Sequence, residues 1–252
     1  MALLKHLHPA RNWAARFLME LSHRIASDEG WARLCDRAGA PTMLGGLLRL
    51  RDTGFAPSRA IDVGACQGDW ARLWRQVFPE SHLLMVEPQP QHSERLQCMV
   101  SMDPARLAFA PVLVGPPGLN STTFHLMDDD TGGTGSSVLP ELSDVPRRSV
   151  QLPVQTLDEV YGNHNAPAPD FLKLDVQGYE LEVLRGATRI LGSVQFVLLE
   201  VSLVKYNAGG PLFDEVIEWM GKQRYRLVEL FDTSRSRNGQ LVQIDLLFKR
   251  LG

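Results

Sequence analysis

Ala60-Ile61-Asp62-Val63-Gly64-Ala65-Cys66-Gln67-Gly68-Asp69-Trp70 is the stretch that decides the fold. An apolar run ends in an acid, a turn carrying two glycines follows, and Asp69-Trp70 opens a helical pattern. Glycine lets backbone come close to a ligand, and a helix N-terminus favours a ligand's anionic group. A dinucleotide loop reads G-x-G-x-x-G, its middle glycine making room for pyrophosphate. Here three residues separate Gly64 from Gly68 and the middle glycine is missing. Asp62 would also repel pyrophosphate. A ligand with an ammonium group and no phosphate suits this turn better.

Moving outward, the next apolar run ends in Val86-Glu87-Pro88. Glu87 follows the glycine turn by about 20 residues, where an acid accepts hydrogen bonds from ribose hydroxyls. A nucleoside bearing an amino-acid tail satisfies both motifs, and S-adenosylmethionine is such a ligand. Further on, Phe171-Leu172-Lys173-Leu174-Asp175-Val176-Gln177-Gly178-Tyr179-Glu180 repeats the plan: a strand ends in an acid, Gly178 turns the chain, and Glu180 stands in the first turn of a helix, favourable to its dipole.

Strands are expected at 60–63, 83–86, 107–114, 171–174, 194–201, 224–230 and 241–248, and helices at 68–77, 91–102, 179–191 and 212–222. Such alternation implies a parallel sheet with right-handed crossovers. The last two strands are joined by 231–240 with Asn238-Gly239, a hairpin signal, so the sheet should end in one antiparallel strand. Residues 1–54 read as a helical extension or cap. Trp13, Phe17, Leu21 and Ile25 form a helical stripe, and a second helix after Pro41 runs to about Asp52 before Gly54. Residues 55–252 form the main domain. Within it, 115–156 interrupt the alternation with two short strands, 121–126 and 150–154, a turn of helix at 157–160, and an acidic, glycine-rich loop around Asp128-Asp129-Asp130, which is read as a solvated turn over the substrate.

Composition narrows the function. The net charge of -3 carries no basic stripe, which argues against nucleic acid and anionic membrane. Cys35, Cys66 and Cys98 are too few and unpaired in spacing for a disulfide framework, fitting a reducing, cytoplasmic setting. No stretch approaches the roughly 20 apolar residues of a membrane span, and the start, broken by Lys5, His6 and His8, does not read as a signal peptide.

The motifs IDVGACQGDW, VEPQP, GGTGSSV with VQTLDEV, and FLKLDVQGYELEVLRGA with FVLLEVS make residues 44–250 resemble the FkbM family of methyltransferases. The resemblance implies a Rossmann-like class I methyltransferase fold, a mostly parallel seven-stranded sheet with an antiparallel last strand plus N-terminal helices. It also implies S-adenosylmethionine as donor and O-methylation of a hydroxyl on a sugar, glycan or natural product. The cofactor-binding set is then Asp62, Gly64, Ala65, Gly68, Glu87, Pro88, Ser137 and Asp175. Cys66 stands where the family commonly has asparagine, which removes a hydrogen bond near the methionyl end.

Methyl transfer to a hydroxyl needs in-line positioning and a group to collect the proton. Asp175 is the expected base or acceptor-orienting group, with Glu200 and Glu180 as secondary candidates. No third hard ligand accompanies Asp175 and Glu200, so no metal is assigned. Two other readings of the same fold class are a nicotinamide-dependent oxidoreductase, disfavoured by the missing glycine, and a non-catalytic module that keeps the nucleoside pocket.

Overall fold

A computed structural model describes residues 27–127, 135–143, 145–164 and 166–252. The stripe from Trp13 to Ile25 and the acidic loop at 128–134 lie outside these. β1 (Arg59–Val63) lies inside a seven-stranded sheet, between β2 (His82–Val86) and β7 (Phe171–Leu174), parallel to both. β3 (Leu107–Ala110) flanks β2, and β8 (Phe196–Ser202) flanks β7. β10 (Leu241–Arg250) then pairs antiparallel with both β8 and β9 (Tyr225–Arg235), giving the order β3-β2-β1-β7-β8-β10-β9. This is the expected class I methyltransferase arrangement, mostly parallel with an antiparallel last strand. The antiparallel strand is last in sequence but lies one place in from the edge, because β9 leaves a gap beside β8 that the hairpin fills. That hairpin is tighter than expected: β9 runs on to Arg235, and Ser236 N–H donates to Gln240 O across Gly239.

Alternation along each strand divides two cores. One face buries Ala60, Phe171, Leu198 and Leu247 under α1 (Asp28–Arg37), α2 (Met43–Asp52), α3 (Asp69–Val77) and α4 (Pro90–Met102). Leu47, Leu48, Trp74 and Leu96 are the fully buried anchors of those helices. The opposite face buries Ile61, Leu172, Val197 and Ile244 under α5 (Leu157–Gly162), α6 (Glu180–Arg185), α7 (Thr188–Leu191) and α8 (Phe213–Lys222). Caps mark the helix starts: Thr42 Oγ1 accepts from Gly45 N–H, and Thr156 with Glu159 forms a capping box. Thr42, rather than Pro41, therefore sets where α2 begins.

Two expected elements are split. The 107–114 strand breaks after Ala110 at Pro111, which cannot donate to a ladder. The remainder, β4 (Leu113–Val114), joins β6 (Arg147–Gln155), which also pairs with β5 (Ser121–Met127). The 179–191 helix divides into α6 and α7 at Gly186, where a Cβ would stand 2.1 Å from the carbonyl oxygen of Gly115. Among the described residues no helix is long and apolar enough to cross a membrane.

Candidate active site

The carboxyl ends of β1, β2 and β7 open into one shared cavity. Val86, Val112, Val114, Phe124, Val138 and Tyr179 make an apolar slot, and Glu87, Asp175 and Gln177 bring polar atoms to it. Gly64 and Pro88 line it as well. The 115–156 region contributes Phe124, Gly135 and Ser136, so this segment forms one wall.

Glu87, 3% exposed, accepts Cys66 N–H at 2.9 Å on Oε2 and Gln89 N–H at 3.0 Å on Oε1. Burial pushes its pKa up and these N–H groups pull it back. The Gln89 side chain also donates to this carboxylate, so three donors leave part of its acceptor capacity for a ribose hydroxyl.

The glycine turn is built for packing more than for ligand approach. Gly64 lies at φ +79°, and a Cβ there would stand 1.9 Å from the carbonyl oxygen of Asp175. Gly68, at φ +80°, caps α3, and its Cβ would meet Met99 Sδ at 2.5 Å. Glycine thus lets the β1 and β7 turns touch and brings α4 against α3. Gly68, buried Ala65 and Asp62 do not line the cavity.

Cys66 does line it, in the left-handed region at φ +47°. Asparagine tolerates that conformation better than most residues, which gives the family's preference a backbone reason beside the side-chain one. Cys66→Asn is expected to raise the thermal midpoint by about 2–4 °C. Calorimetric scanning checks this, and an unchanged or lower midpoint contradicts it.

Asp62 is fully buried, and Lys173 Nζ lies 3.1 Å from its Oδ1 and 3.6 Å from Asp175 Oδ2. The lysine ammonium holds the place expected for a ligand's ammonium. Burial alone would pull the Lys173 pKa down, but the charges of Asp62 and Asp175 prevail and hold it up. Burial pushes Asp62 up while Lys173 pulls it back. At 3.1 Å with both groups dry, the ion pair is the form that burial of either charge alone forbids. The Lys173 ammonium is the partner of Asp62 Oδ1, and Oδ2 has none among the described residues.

Beyond the tip of β7, Gln177 Nε2 donates to Asp175 Oδ1 at 3.0 Å and to Glu200 Oε2 at 2.7 Å. Gln243 Nε2 donates to the same Glu200 oxygen at 2.8 Å. Burial, then the charges of Asp175, Asp245 and Glu180, push Glu200 well above the usual carboxyl range. Asp245, beside Glu200 in the β8–β10 register, is pushed up to about 7, first by burial and then by Asp175. The structure therefore brings Asp175 and Glu200 together, and Asp175 alone of the two lines the cavity.

Glu180 and Ser137 occupy different places from those expected. Glu180, 3% exposed, accepts Val176 N–H at 3.0 Å and Gly178 N–H at 3.1 Å, while Ser137 Oγ donates to Gln177 O at 2.9 Å. Neither lines the cavity; both hold the 176–178 turn. Burial pushes Glu180 up to about 7. Between its unfolded value of 4.5 and about 7 the native state binds the extra proton, so stability falls as pH rises through that window. The loss is on the order of 3 kcal/mol. Glu180→Gln should flatten this part of a denaturant-stability profile, and a slope equal to wild type would refute it.

Lys173, Gln177, Gln243 and Asp245 were not singled out from sequence. A lysine inside the apolar run Phe171-Leu172-Lys173-Leu174 was a readable signal, because a cation in a strand buried on both faces requires an acid beside it. The two glutamines carried none.

A doubly wound sheet with a buried acid ending its second strand and acids at the tips of the next two defines a nucleoside-cofactor protein of the class I methyltransferase type. The methyltransferase FkbM domain matches residues 62–227, and the chain belongs to that family. S-adenosylmethionine is the cofactor of this class. A 44-residue stretch is 48% identical to hexuronic acid methyltransferase AglP of Haloferax volcanii, spanning 18% of this chain and 18% of that protein. Among solved structures, the chain is similar to N-methyltransferase NodS from Bradyrhizobium japonicum WM9 with S-adenosyl-L-homocysteine (13% identity, 92% and 97% of the chains, TM-score 0.45). It is also similar to precorrin-6y C5,15-methyltransferase from Geobacter metallireducens GS-15 (12%, 83% and 86%, TM-score 0.45). Identities this low leave residue roles to be argued from this chain.

The cavity fits S-adenosylmethionine in character. It joins an apolar slot to the buried Glu87 carboxylate, which has acceptor capacity beyond the loop N–H groups it holds.

Proposed function

We propose that the protein transfers a methyl group from S-adenosylmethionine to a hydroxyl of a sugar, glycan or natural-product acceptor. The observation that carries this reading is Asp175: it borders the nucleoside cavity on one side and meets Glu200 through Gln177 on the other. In this reading Glu87 accepts from the ribose hydroxyls, with Gly64 and Pro88 beside it. Val112, Val114 and Phe124 flank the base. Asp62, through Lys173, sets the charge beneath the turn, and Gly68 and Ala65 shape it. The cofactor supplies an electrophilic methyl on a sulfonium. Asp175 orients the acceptor hydroxyl and takes its proton as the new O–CH₃ bond forms and the S–CH₃ bond breaks. Residues 115–156 and the N-terminal helices shape the acceptor side.

The short match to a hexuronic acid methyltransferase supports a sugar acceptor. The test is an acceptor screen with S-adenosylmethionine, uronic acids and neutral sugars, read by mass spectrometry before and after mild alkali. A product heavier by one methylene that survives alkali is the expected ether. A product that alkali cleaves is an ester and overturns hydroxyl transfer.

A further inference from the structure

Gln177 is a non-glycine residue at φ +56°, followed by Gly178 at φ +91°. A left-handed backbone is costly for a side chain of this kind and is held only where surrounding structure over-determines it. Here the turn is pinned from three sides: two N–H groups to Glu180 and one carbonyl to Ser137. The strained backbone aims a primary amide between two carboxyls at 3.0 and 2.7 Å. An amide nitrogen has two N–H groups, one for each.

We propose that Gln177 is a positioning residue for the methyl-transfer base: its amide donates to Asp175 and Glu200 together and so favours the fully ionised pair, the form able to take up the acceptor's proton. This rests on the reading of Asp175 as base. The alternative form keeps a proton on Glu200, which its burial favours. Like charges side by side favour that protonated form, and an N–H donated to each opposes it. Gln243 adds a second donor to Glu200 Oε2. The other charged groups facing the pair are Lys173 and Asp62 from β7 and β1, Asp245 from β10, and Glu180 from α6; Asp232 from β9 faces Asp245. Only Lys173 among these is cationic, so the glutamine amides supply most of the remaining compensation.

Two variants separate backbone from amide. Gln177→Gly relieves the left-handed backbone and removes the bridge. Gln177→Asn suits the backbone and is one methylene too short to span both carboxyls. The measurement is a ¹³C NMR titration of side-chain carboxyl carbons in the full chain, with Asp175→Asn and Glu200→Gln giving the assignments. In both variants Glu200 should titrate higher than in wild type by about one pH unit or more. With an acceptor in hand, the acidic limb of kcat against pH should move up by the same amount. A Glu200 titration within experimental error of wild type in both variants overturns the inference. An Asp175→Asn enzyme that keeps the wild-type rate overturns the base reading instead, whatever Glu200 does.

Discussion

Asp175→Asn lowers kcat by about 10²–10⁴-fold, the range set by loss of a positioned general base, while affinity for S-adenosylhomocysteine stays within about threefold. The substitution keeps the side chain's shape and an oxygen to accept from Gln177, so the 176–178 turn remains pinned by Glu180 and Ser137. What it removes is the charge that borders the cavity and the lone pair that receives the proton. The side chain of Asp175 is 34% exposed while Lys173 and Asp62 beside it are 6% and 0% exposed, so the group open to an acceptor is the one that changes. Steady-state kinetics with an acceptor from the screen, paired with calorimetric binding, checks both halves. A rate within about threefold of wild type removes Asp175 from the chemistry.

Lys173→Met is the second large effect, and it falls on stability. The substitution keeps the length of the side chain in a buried strand but strips the cation that pairs with both Asp62 and Asp175. Breaking a buried pair by removing one partner costs about 3–5 kcal/mol, because the other charge stays buried without compensation. Denaturant unfolding should show that loss, and the thermal midpoint should drop by about 6–20 °C. Lys173→Met combined with Asp62→Leu should recover most of it, since a buried pair replaced by apolar groups is often neutral. A single variant within about 1 kcal/mol of wild type would mean that Asp62 is neutral without its partner.

Most of the fold was legible because its signals are local. The acid-ended apolar runs of β1, β2 and β7, the turn at Gly64 and Gly68, and the helix after each gave strand ends within a residue or two. The break at Gly186 was not legible, since it depends on the distant Gly115 carbonyl; Pro111 was a readable sign of the break after Ala110, but the pairing of Leu113–Val114 with Val154–Gln155 was not. The place of β10 depends on a crossover that skips a position, which no local pattern encodes. At the site, Glu87 and Asp175 were read from strand tips and both reach the cavity. Asp62, Ala65, Gly68, Ser137 and Glu180 stand just behind it. Motif spacing identifies the turn but does not separate a residue that faces the ligand from one that holds the turn. Gln177 and Gln243 escaped because a glutamine acquires meaning only from the two carboxyls that folding sets around it.

The central claim is that a buried acid ending the second strand accepts from the ribose of a nucleoside that needs no phosphate cradle. Calorimetric titration of the purified protein and of its Glu87→Ala variant with S-adenosylhomocysteine and with NAD tests it most directly. Saturable binding of S-adenosylhomocysteine, weakened by about 100-fold or more in the variant through loss of hydrogen bonds to a charged group, with no heat from NAD, is the predicted result. Binding of NAD with none of S-adenosylhomocysteine, or equal S-adenosylhomocysteine affinity in the two proteins, would contradict it.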